Sequence, residues 1–283
     1  MTAKVLLILL SLSGYIAEGQ DTTDLNPTQK GTLTCWTEVR SEPRPLRIYY
    51  LRADLTCRNL EVFTLTGEDP DGQGPAESSL TLPKDLFEKY KPLAAINANA
   101  FAGMPGNEND LRGWYKGRPV DMQGMVVSDG KVISPVQAGR TAFWVDGREH
   151  PHIGDPAAGD SVVQAVSDWG STLVENNKII PDSTFKTLHP RSALGFDDTG
   201  KWILFVVVDG RQPGFSEGIS LHELATLFHS HGCTQALNLD GGGSSILLIQ
   251  KPGNGIQTVN KPSGIMHRPI PVMVGVRKLS EKK

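Results

Sequence analysis

A chain of 283 residues with 39% hydrophobic and 21% charged residues has the composition of a soluble globular protein and enough length for a full core. A net charge of −3 excludes a broadly basic, nucleic-acid-binding surface, while leaving room for a local basic pocket. Thirty glycines and nineteen prolines argue against a helical bundle and for short strands joined by many turns. Residues 1–19 have the pattern of a secretory signal peptide. Lys4 gives the positive start, residues 5–12 the apolar stretch, and Ala17 and Gly19 the small residues before the cut. That stretch is too short to span a bilayer and no other run is longer, so the mature chain is expected to be periplasmic or secreted, without a membrane span. Residues 20–30 are polar and read as a flexible segment ahead of a domain over 31–280.

Segments 33–39, 46–51 and 60–65 alternate apolar and polar residues as strands do. Residues 67–79 are a Gly/Pro/Asp-rich loop, and 82–90 predict a short helix that Pro92 ends before a buried strand at 93–96. Residues 97–124 form a long polar segment. It is either an exposed loop or, with Trp114 and Tyr115 beside Arg112 and Arg118, a surface suited to sugar or anion contact. Asp129-Gly130 marks a hairpin within 125–133, and 143–147 repeats the pattern. Strands are expected at 162–166 and 192–196. Residues 201–208 have the unbroken apolar character of a central strand, ended by Asp209. Residues 220–232 predict a helix with Ser220 as N-cap, Glu223 completing a capping box, and Gly232 just past its end. A closing strand follows at 270–276. Together these give an α+β domain, a mixed β-sheet core with few helices.

Cys35 and Cys57 lie on neighbouring strand-like segments and can pair in an oxidising compartment, leaving Cys233 as a buried structural thiol. His222, His229 and His231 share one short helix at spacings that suit surface or capping roles better than a metal. His150 and His152 are expected in an exposed loop.

The most informative stretch is Ala236-Leu-Asn-Leu-Asp-Gly-Gly-Gly-Ser-Ser245, a strand that ends in a carboxylate and three glycines. Such glycines serve either a tight hairpin or the close approach of backbone N–H groups to a ligand. A second strand end, Asp209-Gly-Arg-Gln-Pro-Gly-Phe-Ser-Glu-Gly218, adds Arg211 and Glu217. His189-Pro-Arg191 precedes a third strand. Strand ends are where sites gather in sheets.

These motifs together resemble the phosphodiester glycosidase domain family. Ile96-Asn97, 189–195, 208–225, 236–245, 268–270 and 274–276 occur in the family's order, over about 90–277. One departure is Ala98-Asn-Ala-Phe101, where the family often has a glycine pair. The resemblance implies an α+β fold and hydrolysis of a sugar joined through its anomeric oxygen to a phosphate, with an N-acetylglucosamine-like sugar.

A phosphate leaving group needs little protonation, so such a site requires cations and a carboxylate more than two acids. Asp240 is the expected nucleophile or base. Asp209 and Glu217 are candidates for a second carboxyl or for sugar hydroxyls. Arg191 and Arg211 match phosphate oxygens, the amides of Gly241, Gly242 and Gly243 and the Ser244 hydroxyl can add donors, and Asn97 and His189 bind or orient substrate. Arg191 can equally pair with Asp209 or Asp240 as a structural bridge. No cofactor or transition metal is expected to be required, and a calcium or magnesium ion near the aspartates stays open. A glycan-binding module without catalysis and a phosphodiesterase cutting P–O stay open, the latter commonly needing clustered metals.

Overall fold

The computed structural model describes residues 23–26, 29–72, 74–106, 110–251, 253, 255–264 and 266–279; the signal-like segment 1–19 lies outside them. Among the described residues strands dominate, with two α-helices, α1 (Pro83–Tyr90) and α2 (Leu221–Ser230). No described helix is long and apolar enough to cross a membrane.

An eight-stranded sheet runs in the order Thr23–Asp24, Leu33–Arg40, Leu46–Asp54, Trp202–Val208, Arg191–Phe196, Gln235–Asn238, Thr172–Glu175, Lys178–Ile179. A five-stranded sheet of Ile256–Thr258, Leu247–Gln250, Ala94–Asn97, Val272–Lys278 and Leu60–Thr66 packs against it. Trp202–Val208 explains the layering. Ile203, Phe205 and Val207 enter the core between the sheets, whereas Leu204, Val206 and Val208 face Leu224, Ala225 and Phe228 of α2. Both faces are buried, so the strand carries no polar alternation. The smaller sheet does the same on its side. Ala94, Ile96, Val272 and Val274 point inward, and Ala95, Met273 and Leu248 meet Leu86 and Phe87 of α1. Each fully buried large apolar side chain contributes about 1.5–3 kcal/mol. The result is a helix, sheet, sheet, helix stack, with a further five-stranded sheet (126–167) and a three-stranded one (78–122) closing its flank.

The pairing departs from the expected mixed sheet: every ladder among the described residues is antiparallel. Some neighbours are joined by hairpins, as Arg191–Phe196 is to Trp202–Val208, while others, such as Leu46–Asp54 and Trp202–Val208, are far apart in the chain. Part of the segment 20–30 joins the sheet. Thr23–Asp24 pairs with Thr34 and Cys35, and Leu25 and Asn26 are buried. The long segment 97–124 is partly strand, since Phe101–Gly103 pairs with Pro119–Met122.

Candidate active site

Antiparallel pairing brings four chain ends to one edge of the eight-stranded sheet. They are the end of Trp202–Val208, the start of Arg191–Phe196, the end of Gln235–Asn238 and the start of Thr172–Glu175. Asp240 leaves the third of these. Its N–H donates to the Ala98 carbonyl at 2.8 Å, and its carbonyl accepts from the Asn97 side-chain amide at 2.6 Å. The buried Asn97 oxygen accepts from Ser192 Oγ at 2.6 Å and the Ile246 N–H at 3.1 Å. Asn97 therefore positions the Asp240 loop, using the end of one sheet to fix a turn leaving another.

The Asp240 carboxyl accepts from the Gly241 N–H at 2.9 Å. Burial pushes its pKa up to about 6. The Ser244 hydroxyl, the Gly241 amide, Arg268 and Arg211 oppose that rise by favouring the charged form. The Ser244 hydroxyl acts there as a nearby dipole, because Ser244 Oγ makes no well-formed hydrogen bond; Ser245 Oγ and Arg191 Nε are likewise buried without a partner.

The glycines have three separate tasks. A Cβ on Gly241 would lie 2.6 Å from the Pro190 carbonyl oxygen, and one on Gly243 would lie 2.7 Å from Arg268 Nη2. Gly242 adopts φ +62°, and a Cβ there would lie 3.0 Å from Arg211 Nη1. Two guanidinium groups thus lie directly on the glycine turn. Arg191 stands beside it at the start of its strand. Among the described residues, none of Arg191, Arg211 and Arg268 forms an ion pair, so the structural bridge between Arg191 and an aspartate is absent. Arg211 has φ +60°, a conformation non-glycine residues seldom adopt, held by its N–H to the Glu217 carbonyl at 3.3 Å. His189 Nδ1 lies 3.3 Å from Arg211 Nη2. Burial, then Arg191 and Arg211, holds its pKa below the usual histidine range, which favours the neutral ring. Burial and Arg211 also lower the Arg191 pKa. Arg268 is the residue that motif-by-motif reading left out. It stands just before the closing strand, within a stretch whose order had already been noted.

Other candidates are placed differently. Asp209 is fully buried, and its carboxyl accepts from Tyr49 OH, Asn260 Nδ2 and the Lys261 N–H, each at 2.9 Å. Burial raises its pKa against those hydrogen bonds. Both of its oxygens are thus engaged by donors of the surrounding fold. The Glu217 side chain, half-buried on the Arg211 loop, has no hydrogen-bond partner among the described residues. Of the three glycine amides only Gly243 N–H is uncommitted, since Gly241 donates to Asp240 and Gly242 to the Pro190 carbonyl at 2.9 Å.

The aromatic and arginine residues of 97–124 pair with one another, Arg118 buried and Trp114 and Arg112 exposed. Arg118 is buried under Trp114 at 4.4 Å, and Arg112 covers Tyr115 at 4.5 Å while pairing with Asp110. Cys35, Cys57 and Cys233 are all free, buried thiols, so the possible pairing of the first two is not made. Burial lifts Cys35 and Cys233 to about 12, which makes them poor nucleophiles. His150 and His152 gather on Asp146, and a groove of about 750 Å³ beside them opens at the opposite end of the strands from Asp240.

The family model described as phosphodiester glycosidase matches residues 90–277. The chain belongs to the phosphodiester glycosidase family. The matched span takes in every candidate from Asn97 to Arg268. Among solved structures, the phosphodiester glycosidase fold recurs in the catalytic domain of zebrafish N-acetylglucosamine-1-phosphodiester alpha-N-acetylglucosaminidase, auto-inhibited by its pro-peptide. The TM-score is 0.62 at 16% identity, over 91% of this chain and 88% of that one. A hypothetical protein from Synechocystis matches with a TM-score of 0.57 at 14% identity, over 92% of this chain and 64% of that one. Likeness at such identities is likeness of fold. A stretch of 62 residues is 46% identical to the uncharacterized SPbeta prophage-derived protein YomE of Bacillus subtilis strain 168, which is 22% of this chain and 9% of that protein.

Proposed function

We propose that this protein is a secreted hydrolase that cleaves the bond between the anomeric carbon of an N-acetylglucosamine-like sugar and a phosphate, in a glycosyl phosphodiester or related envelope glycan. The observation that carries the proposal is the placement of the Arg211 and Arg268 guanidinium groups, neither in an ion pair, on the glycine turn beside the Asp240 carboxylate, with Arg191 next to that turn at its strand start. Family membership supports it.

In this mechanism Arg191, Arg211 and Arg268 hold the phosphate, and the Gly243 N–H and Ser244 hydroxyl complete its donors. Cations aimed at the departing oxygens stabilise the charge that develops as the C–O bond breaks. A phosphate is stable as an anion, so no general acid is needed. Asp240 faces the anomeric carbon as nucleophile or as base for water. It is ionised at neutral pH, and its partial burial keeps it basic enough to react. His189, held neutral, exchanges a hydrogen bond with Arg211 or substrate. Glu217 receives sugar hydroxyls or serves as the second carboxyl. Asp209 braces the Arg211 loop through Tyr49, Asn260 and Lys261.

The test is hydrolysis of an N-acetylglucosamine α-phosphodiester by the mature protein, with excess chelator in parallel and Asp240→Asn as the variant. The expected result is turnover that survives chelator and falls by roughly a thousandfold or more in the variant. Full turnover in Asp240→Asn would remove the carboxylate from the mechanism. Loss in chelator alone would replace the arginine-centred mechanism with a metal-centred one.

A further inference from the structure

Strand order in the eight-stranded sheet sets out a sequence of positions along the site edge. The loop carrying Arg211 leaves Trp202–Val208, Arg191 opens the next strand, Asp240 follows the next, and Trp169 lies just before the last, Thr172–Glu175. Cations, carboxylate and indole therefore stand in that order at one end of one sheet. We propose that Trp169 is a stacking platform for the pyranose ring of the glycone, the sugar whose anomeric carbon faces Asp240. This rests on the glycosidase function proposed above and extends it to substrate recognition.

The Trp169 backbone is fixed on two sides. Its N–H donates to the Asn238 carbonyl at 3.0 Å, and its carbonyl accepts from Asn238 Nδ2 at 2.6 Å. Asn238 is two residues before Asp240, so the Cα atoms of Trp169 and Asp240 are separated by about 12 Å at most. That gap is the span of one to two pyranose rings. Those hydrogen bonds use only the Trp169 main chain, so any residue except proline could make them. The indole itself contacts the Arg140 guanidinium at 4.3 Å and is still 40% exposed.

Arg140 closes the wall. Its Nη2 donates to Gln123 Oε1 at 2.5 Å, the Gln123 N–H donates to the Ala100 carbonyl at 2.8 Å, and Ala98 accepts from the Asp240 N–H. A continuous circuit of contacts thus runs from Asp240 through the 98–124 arm to Trp169 and back along the strand. An amphipathic ring held rigidly at such a rim offers an apolar face to the C–H face of a sugar at little entropic cost.

The test uses equilibrium binding to the mature Asp240→Asn protein, which prevents turnover, and to the same protein carrying Trp169→Ala or Trp169→Phe. The probes are N-acetylglucosamine α-1-phosphate and inorganic phosphate, titrated separately. Trp169→Ala is expected to weaken the sugar phosphate about tenfold or more while phosphate stays within about twofold, and Trp169→Phe to stay within about threefold for both. Phosphate binding serves as the control for folding. Unchanged sugar-phosphate affinity in Trp169→Ala would overturn the platform while leaving the phosphate site in place. Equal loss for both probes would also overturn it, since the effect would not be on the sugar. If the parent binds neither probe, the glycosidase function fails and the platform with it.

Discussion

Asn97 holds Asp240 by its main chain: the side-chain amide of one donates to the carbonyl oxygen of the other at 2.6 Å. The same buried side chain also receives Ser192 and Ile246, so three groups from different parts of the chain depend on it. Asn97→Ala would strand all three. The expected loss is about 3 kcal/mol or more of stability, together with a fall in kcat larger than any change in KM. Urea denaturation and steady-state kinetics on the folded fraction measure both. An unchanged midpoint would remove the positioning role.

Asp209 and Asp240 should separate cleanly. Removing the Asp209 carboxyl leaves Tyr49, Asn260 and Lys261 donors facing a buried gap. Asp209→Ala is therefore expected to cost about 3–5 kcal/mol of stability. The folded fraction should keep turnover well above that of Asp240→Asn. A stable Asp209→Ala protein with no turnover would show that Asp209 reacts.

Two neighbouring glycines should fail in different ways. A methyl on Gly241 meets the Pro190 backbone oxygen, which cannot yield without moving a strand end. Gly241→Ala is expected to lose about 1–3 kcal/mol. A methyl on Gly243 meets only the end of the Arg268 side chain, which can swing away. Gly243→Ala should melt within about 0.5 kcal/mol of the parent yet bind inorganic phosphate roughly tenfold more weakly. Equal phosphate affinity would take Arg268 out of the anion site.

The pH dependence follows from Asp240. Its folded pKa, pushed up to about 6, exceeds that of an unfolded aspartate, about 3.9. The folded chain therefore holds this proton more tightly than the unfolded one. Ionisation costs stability; the cost is absent below the unfolded pKa and complete once pH has risen past 6. Asp240→Asn should be more stable than the parent at pH 8, by about 3 kcal/mol at most, and equal to it below about pH 4. Turnover should instead rise as pH passes through 6, because the reacting form is the ionised one. Activity that falls with rising pH through that range would assign Asp240 the role of acid.

Much of the strand and helix plan was legible because local chemistry and tertiary packing agreed. The Ser220–Glu223 capping box forms as its spacing implies, and Asp129-Gly130 turns with both residues at positive φ. The hairpin at Thr172–Ile179 was overlooked because its turn is Asn176-Asn177. That pair also reaches positive φ, but it is a weaker signal than Asn-Gly or Asp-Gly. Chain direction in the sheets was not legible, since alternation reports which face is buried and not which strand is the neighbour. In the candidate site, Asp240, Arg191 and Arg211 can be named from residue type and strand-end position. The hydrogen bonds of Asp209 were not legible, because its three partners come from residues 49, 260 and 261, which no local pattern connects. The approach of Arg268 to Gly243 and of Trp169 to the strand before Asp240 is visible only in the folded chain.

The most direct measurement of the central claim is hydrolysis of the N-acetylglucosamine α-phosphodiester in ¹⁸O-labelled water, followed by mass analysis of both products. Attack at the anomeric carbon places the label in the sugar and none in the phosphate, which is the predicted result. Label in the phosphate would mean that the P–O bond is cut, and would contradict a site in which arginines hold the phosphate while Asp240 acts on the sugar.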